Sequence, residues 1–517
     1  MNKSIRFLII YIVFINVLLL SFYANADESD SQMDTASSSE KSLDDSPDIL
    51  KLNSLNVVKL AKDNNISLKS ALLNIDSAQQ DVESAKGNYP WIFGADGGYT
   101  HTGTPIGNSL YQKRDTVGAG AQLSKTASAG TSVVLRGEGE WYKSGSSAVM
   151  ITESAGRGSG TYAGATARLA VTQPLIRGFG NRVGLADLRA AKRSKTLAEK
   201  SSISVAGNVV KAVLDAYWEL WYAAMRFEIN KKSEITAEEQ LNEISIRVSA
   251  GDAAMVDKLS FESNLASLKA AVLESQIEMR RQEVVLAQTV GIVQENPRIF
   301  PDINEPLPVT FSEMDLNELT QKALTESPSV HVVIAEMDLA KENEKIAGES
   351  LRQKLDIEAW LQASTLTNSD VQHIFSDFGN GNAYSGYIGL KYELPLDNRK
   401  KEAQKAKALL AVDSVNLKLN EEKNAVVADV LIAYENILAA RDKLELAKET
   451  LVITTQEMDA QHERYLLGDA IYTEVRNAEE RVRKAELDKV RAEVDLVKSQ
   501  VSLENITGKL LKKYPLN

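Results

Sequence analysis

"PLIRGFGNRVGLADLRAA", Pro174 to Ala191, sets a G-x-G-x-x-x-G run between a strand-like segment and a helix-like one. A dinucleotide fingerprint needs G-x-G-x-x-G, a strand after the helix, and an acid closing that strand. Here the last spacing is one residue too long. From Val183 the chain reads helical well past the length of a nucleotide-binding unit. Pro174 with Gly178, Gly180 and Gly184 reads instead as a mechanical joint where a strand stops and a long helix starts.

The helix that follows is one of two. No proline occurs between Pro174 and Pro297 or between Pro395 and Pro515, where average usage would place about six in each interval. In the second interval Val426, Val430, Ala433, Ile437, Ala440, Leu444, Ala447 and Leu451 step by four and three. Such a seam makes a coiled-coil rod, and its alanines let a neighbouring helix approach closely.

Laid on itself at a shift of 217 residues, the chain repeats. Val209-Val210, Val213-Leu214, Ala216-Tyr217, Arg247, Gly251-Asp252 and Gly291 fall on Val426-Val427, Val430-Leu431, Ala433-Tyr434, Arg464, Gly468-Asp469 and Gly508. The duplication makes each copy one unit of helix, strands, long helix, turn and return helix. The first copy spans 49-293, with strands over 91-174, a long helix over 183-250 and a return helix over 253-290. The second spans 316-511, with strands over 356-395, a long helix over 398-467 and a return helix over 470-507. Residues 294-315, rich in proline, connect the copies and are expected to pack outside the rods. At the turns, Gly251-Asp252 and Gly468-Asp469 read as a helix stop followed by an N-cap acid.

Before the repeat, Lys3 and Arg6 precede an apolar run from Phe7 to Tyr23 that ends in Ala24-Asn25-Ala26. This reads as a secretory signal, residues 1-26. Asp27 to Asp48 carries eight acidic residues and one lysine among serines, an acidic disordered leader over 27-48. The chain has no cysteine and a net charge of −12. Disulfides, thiolate metal sites and a lipid on an N-terminal cysteine are thereby excluded, and nucleic acid is a poor partner for so acidic a chain. The four histidines show no ligand spacing, and no nucleophile, base and orienter pattern is present, so neither a metal, a cofactor nor an enzyme is expected.

The strand segments alternate with period two. In "TSVVLRGEGEWY" Val133, Leu135 and Trp141 share one face, while Arg136, Glu138 and Glu140 share the other. In "YIGLKYELPL" Ile388, Leu390, Tyr392 and Leu394 oppose Lys391 and Glu393. Either a soluble sandwich or a membrane barrel has this pattern. Trp91 to Thr100, Ala165 to Gln173, Asp356 to Ser364 and Tyr387 to Leu394 give four spanning strands, with Val117 to Ser124 and Ser132 to Tyr142 as an added hairpin. Closed barrels need at least eight strands, so strands in a membrane would have to be shared among chains. The Gly/Ser-rich pieces "HTGTPIGNS" and "ESAGRGSG" put the extra segment from His101 to Tyr162 at the external end, as loop tips.

The signal peptide, the ordered duplication, the "TQPLIRG" strand exit and the "AYWEL" element together resemble TolC-type outer-membrane export channels, the outer membrane efflux protein family, from about Leu50 to Leu511. The resemblance implies a mainly α protein with a membrane β-barrel part. Four strands from each chain of a homotrimer would complete a twelve-stranded barrel in outer-membrane lipid, continued by an α-helical coiled-coil tunnel across the periplasm. It implies a passive conduit of a tripartite system for efflux of small molecules or type I protein secretion. Its partners would be a periplasmic adaptor (membrane fusion protein) and an inner-membrane pump of RND or ABC type. The alternative is a periplasmic coiled-coil adaptor or structural protein. Many relatives carry a lipidated N-terminal cysteine; no lipid anchor is expected here.

On this resemblance the turns, with Arg247, Gly251, Asp252, Arg464, Gly468 and Asp469, form the periplasmic tip and the adaptor docking surface. Asp257 and Glu474 share one repeat position and would line the closing aperture, with Asn477 and Tyr465 nearby. The match is partial: Ala470 stands where the family has a latching arginine, and Asn477 where a second aspartate is expected. Pro174, Gly178, Gly180 and Pro395 mark the barrel-to-tunnel joints.

Overall fold

In the computed structural model, residues 49-107, 110-146, 160-295, 298-307, 315-367 and 383-515 are described. The secretory signal, the acidic leader and most of "ESAGRGSG" lie outside them. In chain order the elements are β1 (Ile49–Leu52), α1 (Ser54–Asn64), α2 (Ile66–Lys86), β2 (Ile92–Gly107), β3 (Leu110–Thr126), β4 (Ser132–Ser146) and β5 (Gly160–Pro174). Then come α3 (Ala186–Ala250), α4 (Met255–Val290), β6 (Arg298–Pro301), α5 (Leu316–Glu326) and α6 (Pro328–Ser350). After these come β7 (Lys354–Thr367), β8 (Tyr384–Glu393), α7 (Arg399–Leu466) and α8 (Tyr472–Ile506), followed by one helical turn, Leu510–Lys513.

Each proline-free interval opens with one long helix, α3 of 65 residues and α7 of 68, and continues through a turn into the return helix, α4 or α8. At 1.5 Å per residue α3 and α7 are each about 100 Å long. On α7 the seam from Val426 to Leu444 is buried, while Ala447 and Leu451 are half-buried. The helices lie in a row four wide. Toward the strands the order is α2, α3, α6, α7, and toward the turns it is α4, α3, α8, α7, each helix packing on the next.

The largest core lies midway along the rods, where "AYWEL" buries Tyr217, Trp218 and Leu220 against Val57, Leu286, Val290 and Val497. Here the connector packs against the outside of α3 and α4. Its strand β6 pairs in parallel with β1 and buries Ile299. Glu305 accepts from the Ser54 N–H at 3.0 Å, the Ser54 hydroxyl at 2.6 Å and the Tyr217 phenol. Burial and this carboxylate push the Tyr217 phenol well above its usual range.

The strands form one antiparallel sheet of six, in the order β2-β3-β4-β5-β7-β8. Four spanning strands with a hairpin held at the external end do not describe it. The hairpin β3-β4 is inserted between β2 and β5 and is paired along both sides. Residues 101-107 belong to β2 rather than to a loop. Glycine misled in 101-107, where Gly103 and Gly107 read as loop but belong to the strand. Gly97, Gly98, Gly118, Gly120, Gly137 and Gly139 sit inside the ladder, where they leave room for bending.

The register makes one face apolar across the sheet. Phe93, Leu123, Leu135, Leu169 and Leu361 are partners in sequence from β2 to β7. Leu355, Ile357 and Ala359 on β7 continue beside Tyr392, Leu390 and Ile388 on β8. Phe93, Leu361, Ile388 and Leu390 are each at least 68% exposed, so among the described residues of one chain nothing covers this face. The opposite face holds Asp96, Gln122, Arg136, Glu138, Arg168, Glu358 and Lys391, with Arg136 bridging Asp96 at 3.2 Å and Glu138 at 3.0 Å.

Candidate functional site

Four places on this frame carry the sequence-derived residues: the two joints between sheet and rods, and the two turns at the far end.

At the first joint the glycines hold another part of the chain. The β3-β4 turn, Ala127 to Thr131, rests on them. The Gly180 N–H donates to the Ala129 carbonyl at 3.0 Å, and the Ser128 hydroxyl meets Asn181 at 3.0 Å. A Cβ on Gly184 would come within 1.9 Å of the Ser128 carbonyl oxygen, and one on Gly130 within 2.2 Å of the Gly178 carbonyl oxygen. Gly178 and Gly180 also have φ of +87° and +83°, the left-handed region that glycine favours. Pro174, buried, is the last residue of β5.

The second joint, at Pro395, turns differently: Asp397 accepts from the Arg399 N–H at 3.0 Å and no glycine is used. It has no added hairpin to seat, because β7 and β8 neighbour each other directly. The G-x-G run is thus a seat for a hairpin turn as well as a change of direction.

The two far turns have the same backbone. Gly251 and Gly468 have φ of +85° and +81°. The Asp252 N–H donates to the Arg247 carbonyl and the Asp469 N–H to the Arg464 carbonyl, both at 2.9 Å. These are helix-ending bonds that use the aspartate backbone. The N-caps are therefore Ala254 and Ile471 rather than the aspartates. The Asp257 carboxylate reaches back to the Ala254 N–H at 3.4 Å and supplies the missing cap.

Residues 319–509 match the family model described as outer membrane efflux protein. The second copy carries an outer membrane efflux protein domain. A search of curated protein sequences finds no match. Among solved structures the fold is similar to the outer membrane protein VceC from Vibrio cholerae, at 16% identity, covering 88% of this chain and 96% of that one, with a TM-score of 0.60. It is also similar to the open state of the Neisseria gonorrhoeae MtrE outer membrane channel, at 14% identity, 88% and 89% coverage and a TM-score of 0.62. The Campylobacter jejuni CmeC outer membrane channel gives 14% identity, 88% and 86% coverage and a TM-score of 0.60. At these identities the likeness is one of fold: a barrel part continued by helical rods.

Within this fold the turns are joined by an aromatic cluster. Tyr472 stacks on Phe261 with ring centroids 3.4 Å apart and meets the edge of Tyr465 at 6.3 Å. Ile244, Phe261 and Tyr472 are buried, so the first hairpin (α3-α4) is pinned to the second (α7-α8). Burial pushes the Tyr472 phenol up to about 12, with Glu479 adding to the shift. The Tyr465 phenol is raised by burial and by Asp257 and Glu243, against an opposing hydrogen bond and charge from Arg247. Tyr465 thus brings Arg247 and Asp257 of the first turn to the second.

Glu474 is exposed and lies 4.0 Å from Arg464, whose guanidinium also donates to the Asp469 carbonyl at 3.2 Å. Asn477 is exposed and accepts from Arg476 at 3.4 Å. Ile246, Met255, Val256, Leu466, Leu467 and Ile471 leave large apolar side chains in the open around both turns. Sequence reasoning did not find Tyr472 and Phe261. At a shift of 217 their counterparts are Met255 and Ala478, so the repeat that exposed the other tip residues could not mark them.

Proposed function

We propose that three copies of this chain form an export conduit: a barrel in the outer membrane continued by a helical tunnel through the periplasm, the exit duct of a tripartite system. The observation that carries it is the sheet. Among the described residues its apolar face is continuous across six strands and bare within one chain, its other face is charged, and both edges are unpaired. A sheet of this kind is stable in lipid only when closed, and other copies supply the closure. The efflux protein domain in the second copy supports the same reading. A periplasmic adaptor would have no use for a bare apolar sheet face of this extent.

In this assembly the exposed apolar rim at the turns, from Ile246 to Ile471, is the docking surface for a periplasmic adaptor, which bridges to an inner-membrane pump. Arg247, Gly251, Asp252, Arg464, Gly468 and Asp469 shape that surface. Asp257 and Glu474 approach the threefold axis and make a ring of carboxylates that attracts cations. The cargo is small molecules or exported protein, selected by the pump rather than by the duct. Purified protein added to planar bilayers should give discrete, reproducible conductance steps. A membrane-inserted protein that never conducts, in any voltage range, overturns the reading.

A further inference from the structure

We infer that the barrel is eighteen-stranded, made wide by the β3-β4 hairpin, and that β2 of each copy pairs with β8 of the next. This rests on the reading of a three-copy conduit, and it departs from the twelve strands that the family resemblance implies. Six strands per chain alternate in direction from β2 to β8 among the described residues. β2 and β8 therefore run opposite ways, and the edge of one copy meets the edge of the next in antiparallel sense. A sheet of four would require β2 to pair with β5. That contact is replaced by two full ladders, from Ile92↔Ser124 through β3 and β4 to Ser132↔Thr172.

The rods offer their edges on the same two sides. β2 follows α2, the outermost helix on one side, and β8 leads into α7, the outermost on the other. Both layers are then closed by the same neighbour.

The two rings also match in size. Eighteen strands about 4.8 Å apart and tilted about 35–45° have a mean radius of about 17–19 Å. Twelve helices, four from each copy, at interaxial distances of about 8–10 Å make a ring of about 15–19 Å radius. Twelve strands at the same tilt reach about 11–13 Å. Because radius grows with strand number, the cross-section is about twice that of a twelve-stranded barrel of equal tilt. The seating of the β3-β4 turn on Gly178 to Gly184 anchors the added strands to the start of α3.

The chain has no cysteine, so introduced pairs report without background. In full-length protein in outer membranes, Glu138→Cys with Thr166→Cys joins β4 to β5 within one chain. Asp96→Cys is combined in turn with Ser385→Cys, Gly389→Cys and Lys391→Cys on β8, and separately with Thr166→Cys and Arg168→Cys on β5. The inference expects the β4-β5 bond, a ladder of two and three linked chains for one of the β2-β8 pairs, and eighteen strands counted by electron cryo-microscopy. A conducting trimer with β2-to-β5 bonds and twelve strands overturns the wide barrel and leaves the channel standing. Absence of any membrane-inserted trimer removes the channel reading itself, and the wide barrel with it.

Discussion

Gly184→Ala isolates the seat of the hairpin. No left-handed φ is involved at this position, so the backbone tolerates alanine and the whole effect is contact. The new Cβ would lie 1.9 Å from the Ser128 carbonyl oxygen and 2.8 Å from its carbon. Restoring ordinary contact requires the β3-β4 turn to retreat by about 1.5 Å. Overpacking of this kind costs about 1–3 kcal/mol. Losing the bond from the Gly180 N–H to the Ala129 carbonyl adds about 0.5–1.5 kcal/mol, giving about 1.5–4.5 kcal/mol per chain. Gly180→Ala is the control: nothing lies within 4 Å of its Cβ, and only its backbone at φ +83° and ψ 163°, which glycine alone adopts readily, resists, at about 1–3 kcal/mol. The assay is the temperature at which the assembled protein dissociates on unheated gels, together with protease cleavage between Ala127 and Thr131. Gly184→Ala should dissociate at the lower temperature and be cut in the turn, while Gly180→Ala keeps the turn protected. Equal stability of the two, or an uncut turn in Gly184→Ala, would refute the hairpin seat.

Gly251→Val and Gly468→Val meet no neighbour but force φ of +85° and +81° on a β-branched residue; the altered tips should abolish export, scored by cargo retention, while three-chain assembly on unheated gels stays intact. Asp257→Asn with Glu474→Gln should lower the cation-to-anion permeability ratio in bilayer recordings, and unchanged selectivity would place these carboxylates away from the pore. Burial raises the Glu479 carboxyl above its usual range, against a lowering hydrogen bond from Gln240. The folded chain therefore holds this proton at higher pH than the unfolded one, and stability falls as pH rises from the ordinary carboxylate range through the raised value. Glu479→Gln should accordingly melt higher than wild type at neutral pH and lose that advantage below the carboxylate range, as differential scanning calorimetry can read. Glu305→Ala leaves the Ser54 hydroxyl and N–H without their carboxylate and strips the Tyr217 phenol of its closest acceptor, so it should cost about 1–3 kcal/mol in the same measurement.

The rods were legible because their signals are local and redundant. An absence of proline over the lengths of α3 and α7, a seam from Val426 to Leu444 and a 217-residue repeat each require only the chain's own periodicity. The turns were legible as turns because Gly251 and Gly468 are needed for φ. Their caps were misplaced by two residues, since Asp252 and Asp469 contribute backbone N–H groups that composition cannot distinguish from side-chain caps.

The sheet was read only in part. Each strand's alternation was visible, but the Gly- and Pro-containing stretch 101-107 made the outer part of β2 resemble loop, and only the ladder shows it inside a sheet. The seat at Gly184 depends on Ser128, distant in sequence, and no local pattern encodes that meeting. Tyr472 and Phe261, which meet Tyr465, were hidden for a related reason: their cluster joins the two copies, and its members are not repeated.

Separation of envelope fractions followed by an unheated gel tests the central claim most directly. The account predicts recovery with the outer membrane, as a species of three chains that collapses to one chain on boiling. Release of the protein with the soluble periplasmic contents, as a single chain, would contradict it.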